Sequence, residues 1–227
     1  MTTTAKKQNR QRKAHDPAAT RAALLGAAMG LFARRGFHGA TTEQIARRAG
    51  VNKAMINYHF GGKRKLLAAV LLTPMCELLD GLRGLLEGPD AADELLKEFV
   101  ARFAQCAERN AGFVAILLRE IISGGELIGR DVVAKMEGVL GVVRAIVARG
   151  AKDGSLHPAE PLFVHLNLIG TLAVFFATAP ARARVLAKME QPVAAPDAKE
   201  FVAYVQDVMA RGLSTVRQDR PLRRNRR

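Results

Sequence analysis

The chain has 227 residues, 49% apolar and 25% charged, with no Trp and a formal net charge of +14. That apolar share suffices to bury a core, which excludes wholesale disorder, and the length suits a small domain followed by a larger one. Cys76 and Cys106 have no short-range spacing; both read as core thiols in a reducing cytoplasm, with a disulfide redox switch as the alternative.

The charge sits at the two ends. Residues 1–67 hold 14 Lys and Arg against 2 acids, residues 68–216 hold 15 against 18, and residues 217–227 hold 6 against 1. A concentrated basic footprint favours phosphate backbones through counterion release. A membrane-surface patch would need an apolar face with Trp or Phe beside the charges. Residues 1–15 contain no apolar run, so they resemble neither a secretory signal nor an anchor. They read equally as a basic arm that touches DNA or as a solvated disordered terminus, and 217–227 reads as a disordered basic tail.

Periodicity predicts helices throughout and no strand. The first helix starts with Asp16 as N-cap and Pro17 at its first position, carries Leu24, Ala28, Leu31 and Phe32 inward, and stops at Gly36. A second runs from about Thr42 to Ala49 and turns at Gly50; Val51 plugs the core; Asn52 then caps a third helix through His59. Gly61 and Gly62 separate it from a fourth at 63–87, which Pro74 kinks or frays. Further helices are expected at 90–109, 111–122, 127–152, 160–178, 181–190 and 197–215. Residues 162–179 are the most apolar; slightly short for a membrane span and containing His165 and Asn167, they read as a helix buried on nearly all sides, inside a domain or between subunits.

Two short helices joined by a glycine turn meet the helix-turn-helix description. Asn52 and Lys53 open the helix that enters a major groove, and Thr41 or Thr42 stands at a helix N-terminus suited to a phosphate or to an ordinary N-cap. Three runs make the pattern more specific: LLGAAMGLFARRGF at 24–37, TTEQIARRAGV at 41–51 and YHFGGKRKLL at 58–67. With them, residues 21–67 resemble the N-terminal domain of TetR-family transcriptional regulators. The resemblance implies that Tyr58 and His59 touch phosphates and thymine methyls and that Lys63 clamps a phosphate, with Arg64 and Lys65 sharing that role or solubilising the face. Phe60 reads as core. The family often has Tyr where this chain has Asn57, and Asn pairs bidentately with adenine or bonds a phosphate.

The expected fold class is all-α: a basic arm at 1–15, a three-helix DNA-binding domain at 16–62, a larger helical domain at 63–216 and a basic tail at 217–227. For the larger domain the resemblance implies dimerisation through the last two long helices and a small-molecule effector site. Its candidate contacts are Phe99, Phe103, Cys106, Phe113 and Met136, joined by His165, Asn167 and Phe175. Arg119 and Glu120 interrupt the apolar run AILLREIIS as a buried pair, a polar ligand anchor or a surface pair. Low aromatic content disfavours a cage for a cation and points to a neutral or acidic lipophile.

No catalytic motif stands out. Ser123, Ser155 and Ser214 lie outside GxSxG, the five His have no metal spacing, and no cofactor is expected. The resulting expectation is a cytoplasmic homodimeric repressor that binds palindromic double-stranded DNA, is released by a small molecule and has no membrane partner. The alternatives are a sequence-indifferent architectural DNA binder and, more remotely, a cytosolic helical enzyme.

Overall fold

The computed structural model describes residues 16–110, 112–191 and 193–215. The basic arm 1–15 and the tail 217–227 lie outside the described residues. Among those described, nine helices form: α1 (Pro17–Gly39), α2 (Thr42–Ala49), α3 (Ala54–Phe60), α4 (Lys63–Leu85), α5 (Ala92–Arg109), α6 (Phe113–Ile122), α7 (Arg130–Asp153), α8 (Pro161–Leu186) and α9 (Ala198–Leu213). The all-α expectation holds for these residues. Two compact units emerge. Among the described residues, one combines 16–77 with Cys106–Met136 and Phe175–Ala179; the other combines Leu78–Gln105, Glu137–Val174 and 180–215.

In the first unit α1 packs against α2, α3 and α6. Asp16 accepts from the Ala18 amide at 2.9 Å and Pro17 opens the helix, so the sequence signal for the start is used as read. Leu24, Ala27, Ala28, Leu31 and Phe32 form the inward stripe, joined by Ile45, Ala46, Ile56 and Phe60. The helix breaks at Gly36, with φ 69° and ψ 176°, and one further turn carries it to Gly39. The last carbonyls before such a break have no partner within the helix. Two of them, of Phe32 and Ala33, accept from Arg119 Nη1 and Nη2 of α6, each at 3.0 Å. A guanidinium there also complements the negative end of the helix dipole.

In the second unit, Val139, Val142, Val143, Ile146 and Val147 form a buried stripe along α7. From α5, Leu95, Leu96, Phe99 and Val100 are buried. Arg149 spreads its guanidinium over the segment after α4, donating to the carbonyls of Leu86 at 2.7 Å, Gly88 at 3.0 Å and Asp90 at 3.3 Å. A short antiparallel bridge pairs Leu156 with Ser214, and the His157 amide donates to the Leu213 carbonyl at 2.7 Å.

Two expectations need correction. As expected, α4 is one helix with Pro74 inside it, but α8 also runs through Pro180, where two helices were expected. Proline fixes φ near the helical value and removes one donor, so a helix continues when surrounding contacts offset that loss. Beside Pro74, the Thr73 hydroxyl donates to the Ala69 carbonyl at 3.0 Å and the Cys106 thiol to the Pro74 carbonyl at 3.5 Å. Arg184 Nε donates to the Pro180 carbonyl at 3.1 Å.

The second correction follows from the first. With 26 residues α8 is no longer short: by length and composition it could cross a membrane. Nor is it buried on nearly all sides. Val164, Leu168, Leu172 and Ala173 are buried, whereas Phe163 is 71% and Leu166 59% exposed, with Leu162 and Val174 also bare.

Candidate nucleic-acid interface

Local chemistry builds the reading head. Thr41 caps α2: its hydroxyl accepts from the Gln44 amide and the Gln44 side chain accepts from the Thr41 amide, both at 3.2 Å. Gly50 ends the helix in the left-handed region, at φ 70°, so its own amide reaches the Arg47 carbonyl and the Val51 amide reaches Ala46. Asn52 Oδ1 then accepts from the Ala54 amide at 2.8 Å, which starts α3 as the sequence indicated. Asn52 itself is exposed.

Within α3 the two faces separate cleanly. Ile56 and Phe60 are buried, while Lys53 and Asn57 are exposed and Tyr58 is 75% exposed. His59 is half-buried, edge-on to Tyr58 with ring centroids 5.0 Å apart. An exposed aromatic of this size has no role in the core. Arg21 lies over the Phe60 ring at 5.2 Å, and Lys63 Nζ lies over Phe37 at 4.3 Å. Partial burial lowers the Lys63 ammonium below the ordinary lysine value. Its stem is therefore braced against the end of α1 rather than swinging freely. Arg64 has a task that neither reading gave it, donating to the Glu126 carbonyl at 2.7 Å.

Sequence reasoning missed Glu43. Its carboxylate forms an ion pair with Lys53 and accepts the Thr42 hydroxyl at 3.2 Å. The Lys53 hydrogen bond, first among several causes, holds the carboxyl down at about 2. The signal that could have found it is compositional: Glu43 is one of 2 acids in the first 67 residues.

The expected effector residues are distributed over both units. In the first, Cys106, Phe113, Glu120 and Phe175 are buried, Met136 half-buried, and Arg119 committed to the carbonyls of α1. Burial, the Glu77 charge adding to it, pushes the Cys106 thiol up to about 11. Arg119 and Glu120 form no ion pair with each other among the described residues. Both border a cleft of about 200 Å³ that Phe37, His38 and Glu126 also line. In the second unit Phe99 and Phe103 are buried, Asn167 is exposed, and His165 is half-buried, its Nδ1 without a hydrogen-bond partner among the described residues. Burial lowers the His165 imidazole below its ordinary value. A second cleft, of about 580 Å³, is bordered by Asp90, Lys97, Arg102 and Gln206 and by none of the expected effector contacts.

Residues 24–70 match the family of bacterial regulatory proteins of the tetR family. The chain is 30% identical over 145 residues to the HTH-type transcriptional regulator RutR of Escherichia coli, a match covering 63% of this chain and 67% of that protein. It is 30% identical over 201 residues to the HTH-type transcriptional repressor NicS of Pseudomonas putida, covering 86% and 92%. Its fold resembles that of the transcriptional regulator FadR from Bacillus subtilis in complex with stearoyl-CoA, with a TM-score of 0.61 at 18% identity over 84% of this chain and 97% of that one. Both curated relatives are transcription regulators, and the matched segment is the one that turns Lys53, Asn57 and Tyr58 outward. The chain therefore belongs to the TetR family of DNA-binding transcriptional regulators.

Proposed function

We propose that the protein is a homodimeric repressor, working in the cytoplasm, that binds a palindromic operator and leaves it when a small lipophilic effector binds. The observation that carries the reading is the outward side of α3 and of Lys53 just before it, where Lys53, Asn57 and Tyr58 are exposed and Ile56 is buried. One head of this size makes few base contacts, and two heads on half-sites double them. The bare apolar faces of α8 (Leu162, Phe163, Leu166) and α9 (Tyr204, Val208) supply a surface for the second copy. A lipid bilayer would accept the same apolar residues, but a DNA-reading chain has a direct use for a dimer.

Division of labour follows from the same reading. Residues 16–62 read DNA through Thr41, Thr42, Asn52, Lys53, Asn57, Tyr58 and His59, with Lys63 at the start of α4 adding a phosphate contact, and residues 63–216 pair the chains and hold the effector. The two recognition helices must stand about 34–36 Å apart to enter successive major grooves. An effector that prefers another spacing shifts the population away from DNA; moving a 1:99 ratio to 99:1 takes roughly 5.5 kcal/mol of differential binding. The helix α4 begins at Lys63 and is the natural lever. Buried Phe99 and Phe103 favour a lipophile, and the FadR neighbour with stearoyl-CoA supports a long-chain acyl effector.

Duplexes selected from a random pool should share an inverted repeat and outcompete unselected duplex by more than about 10³ at physiological salt. Stearoyl-CoA should then release the selected duplex. A preference below that ratio would instead favour an architectural binder, and release by no acyl compound would remove the lipophile from the reading.

A further inference from the structure

We propose that Glu43 is a specificity-determining residue of the DNA face, one that withholds Lys53 and Thr42 from phosphates of unrelated DNA. The inference rests on the DNA-binding assignment of that face. Of the 2 acids in the first 67 residues, Asp16 is engaged in capping α1, whereas Glu43 stands among expected DNA contacts. One carboxylate oxygen takes Lys53 Nζ and the other takes the Thr42 hydroxyl. Both partners of the ion pair stay open to solvent, with the Lys53 and Glu43 side chains 57% and 61% exposed.

An exposed pair of this kind adds little to stability. The joint between α2 and α3 already rests on the Gly50 cap and on buried Ile45 and Ile56. The consequence of the pair is electrostatic. A phosphate that recruits Lys53 must expel a carboxylate, one anion replacing another, and because Lys53 already has its counterion in Glu43, little salt is released. Thr42 has given its only hydroxyl proton to Glu43, so it offers a phosphate no O–H donor. A guanine edge is different. It is neutral and presents two acceptors, and an ammonium with three donors can serve it while keeping Glu43. The pair therefore penalises backbone contacts more than base contacts.

Glu43→Gln keeps the size and removes the charge. Binding of a 30-base-pair random-sequence duplex, followed by fluorescence anisotropy from about 50 to 200 mM salt, should show a slope steeper by about 0.9 than in the parent protein. Across that range the affinity gained by the variant should shrink about 3.5-fold. At each salt the preference for a selected duplex over the random one should fall by the factor that the variant gains on the random duplex. In a Lys53→Gln background the same substitution should leave the slope unchanged, since no lysine is freed. An unaltered slope in the single variant overturns the proposal. So does an equal increment in both backgrounds, which would mark plain charge repulsion. Failure of the parent protein to bind any duplex would be seen as absent binding and would overturn the DNA-binding assignment together with the proposal.

Discussion

Two helices leave side chains bare, and the chemistry of what they expose differs. The helix α3 and Lys53 just before it show, with Asn57 and Tyr58, groups that donate hydrogen bonds or carry charge, over a sealed apolar underside of Ile56 and Phe60. The helix α8 shows Leu162, Phe163 and Leu166, groups with nothing to offer water. The first face is stable in solvent and waits for an anionic partner. The second carries a standing cost of about 25 cal/mol for each Å² of apolar surface left wet. Exposure alone does not separate the two; the polarity of the exposed atoms does, and it names the class of partner.

The contrast can be broken most forcefully at α8. Phe163→Glu with Leu166→Glu should yield a monomer in analytical ultracentrifugation and lower affinity for a selected palindrome by about 10³-fold, since one half-site is lost. Helix content should not change. A double variant that remains dimeric would place the interface elsewhere.

A middle-sized effect is expected at Arg119. Removing its guanidinium as Arg119→Leu strips donors from the Phe32 and Ala33 carbonyls and should cost about 1–3 kcal/mol in chemical denaturation. Effector affinity should stay as it was. Were the residue a ligand anchor instead, affinity would fall with stability intact.

The smallest effect is at His165. Its folded-state value lies below the ordinary 6.5, so the imidazole contributes no loss above that pH. As pH falls below 6.5, the unfolded chain takes up a proton that the folded one resists, and stability declines toward the folded-state value. His165→Leu should flatten this decline in thermal melts between about pH 7 and pH 5. An identical decline in the variant would assign the acid sensitivity to other groups.

How much was legible in the sequence follows from the range of each interaction. The helix α2 was readable to its ends because its signals are local: Thr41 with Gln44 at the start, Gly50 at the finish. Asp16 and Pro17 announced α1 for the same reason. Pro180 misled, because the residue that breaks helices in isolation continues one here. Arg119 resisted assignment because its partners lie 86 and 87 positions away, and no pattern near AILLREIIS shows that a helix end would need its donors. Glu43 was overlooked because its partner stands 10 residues on, outside helical spacing, and meets it only once the turn folds back.

By itself, then, the sequence determined the helical class, the reading head and its outward residues, since turn chemistry, capping and period act over a few neighbours. Tertiary structure decided which cations are already spent, on Glu43, on Phe37 or on the carbonyls of α1, and which apolar residues of α8 stay wet. Those outcomes depend on groups brought together across the chain, where distance and desolvation set the energies that local pattern cannot carry.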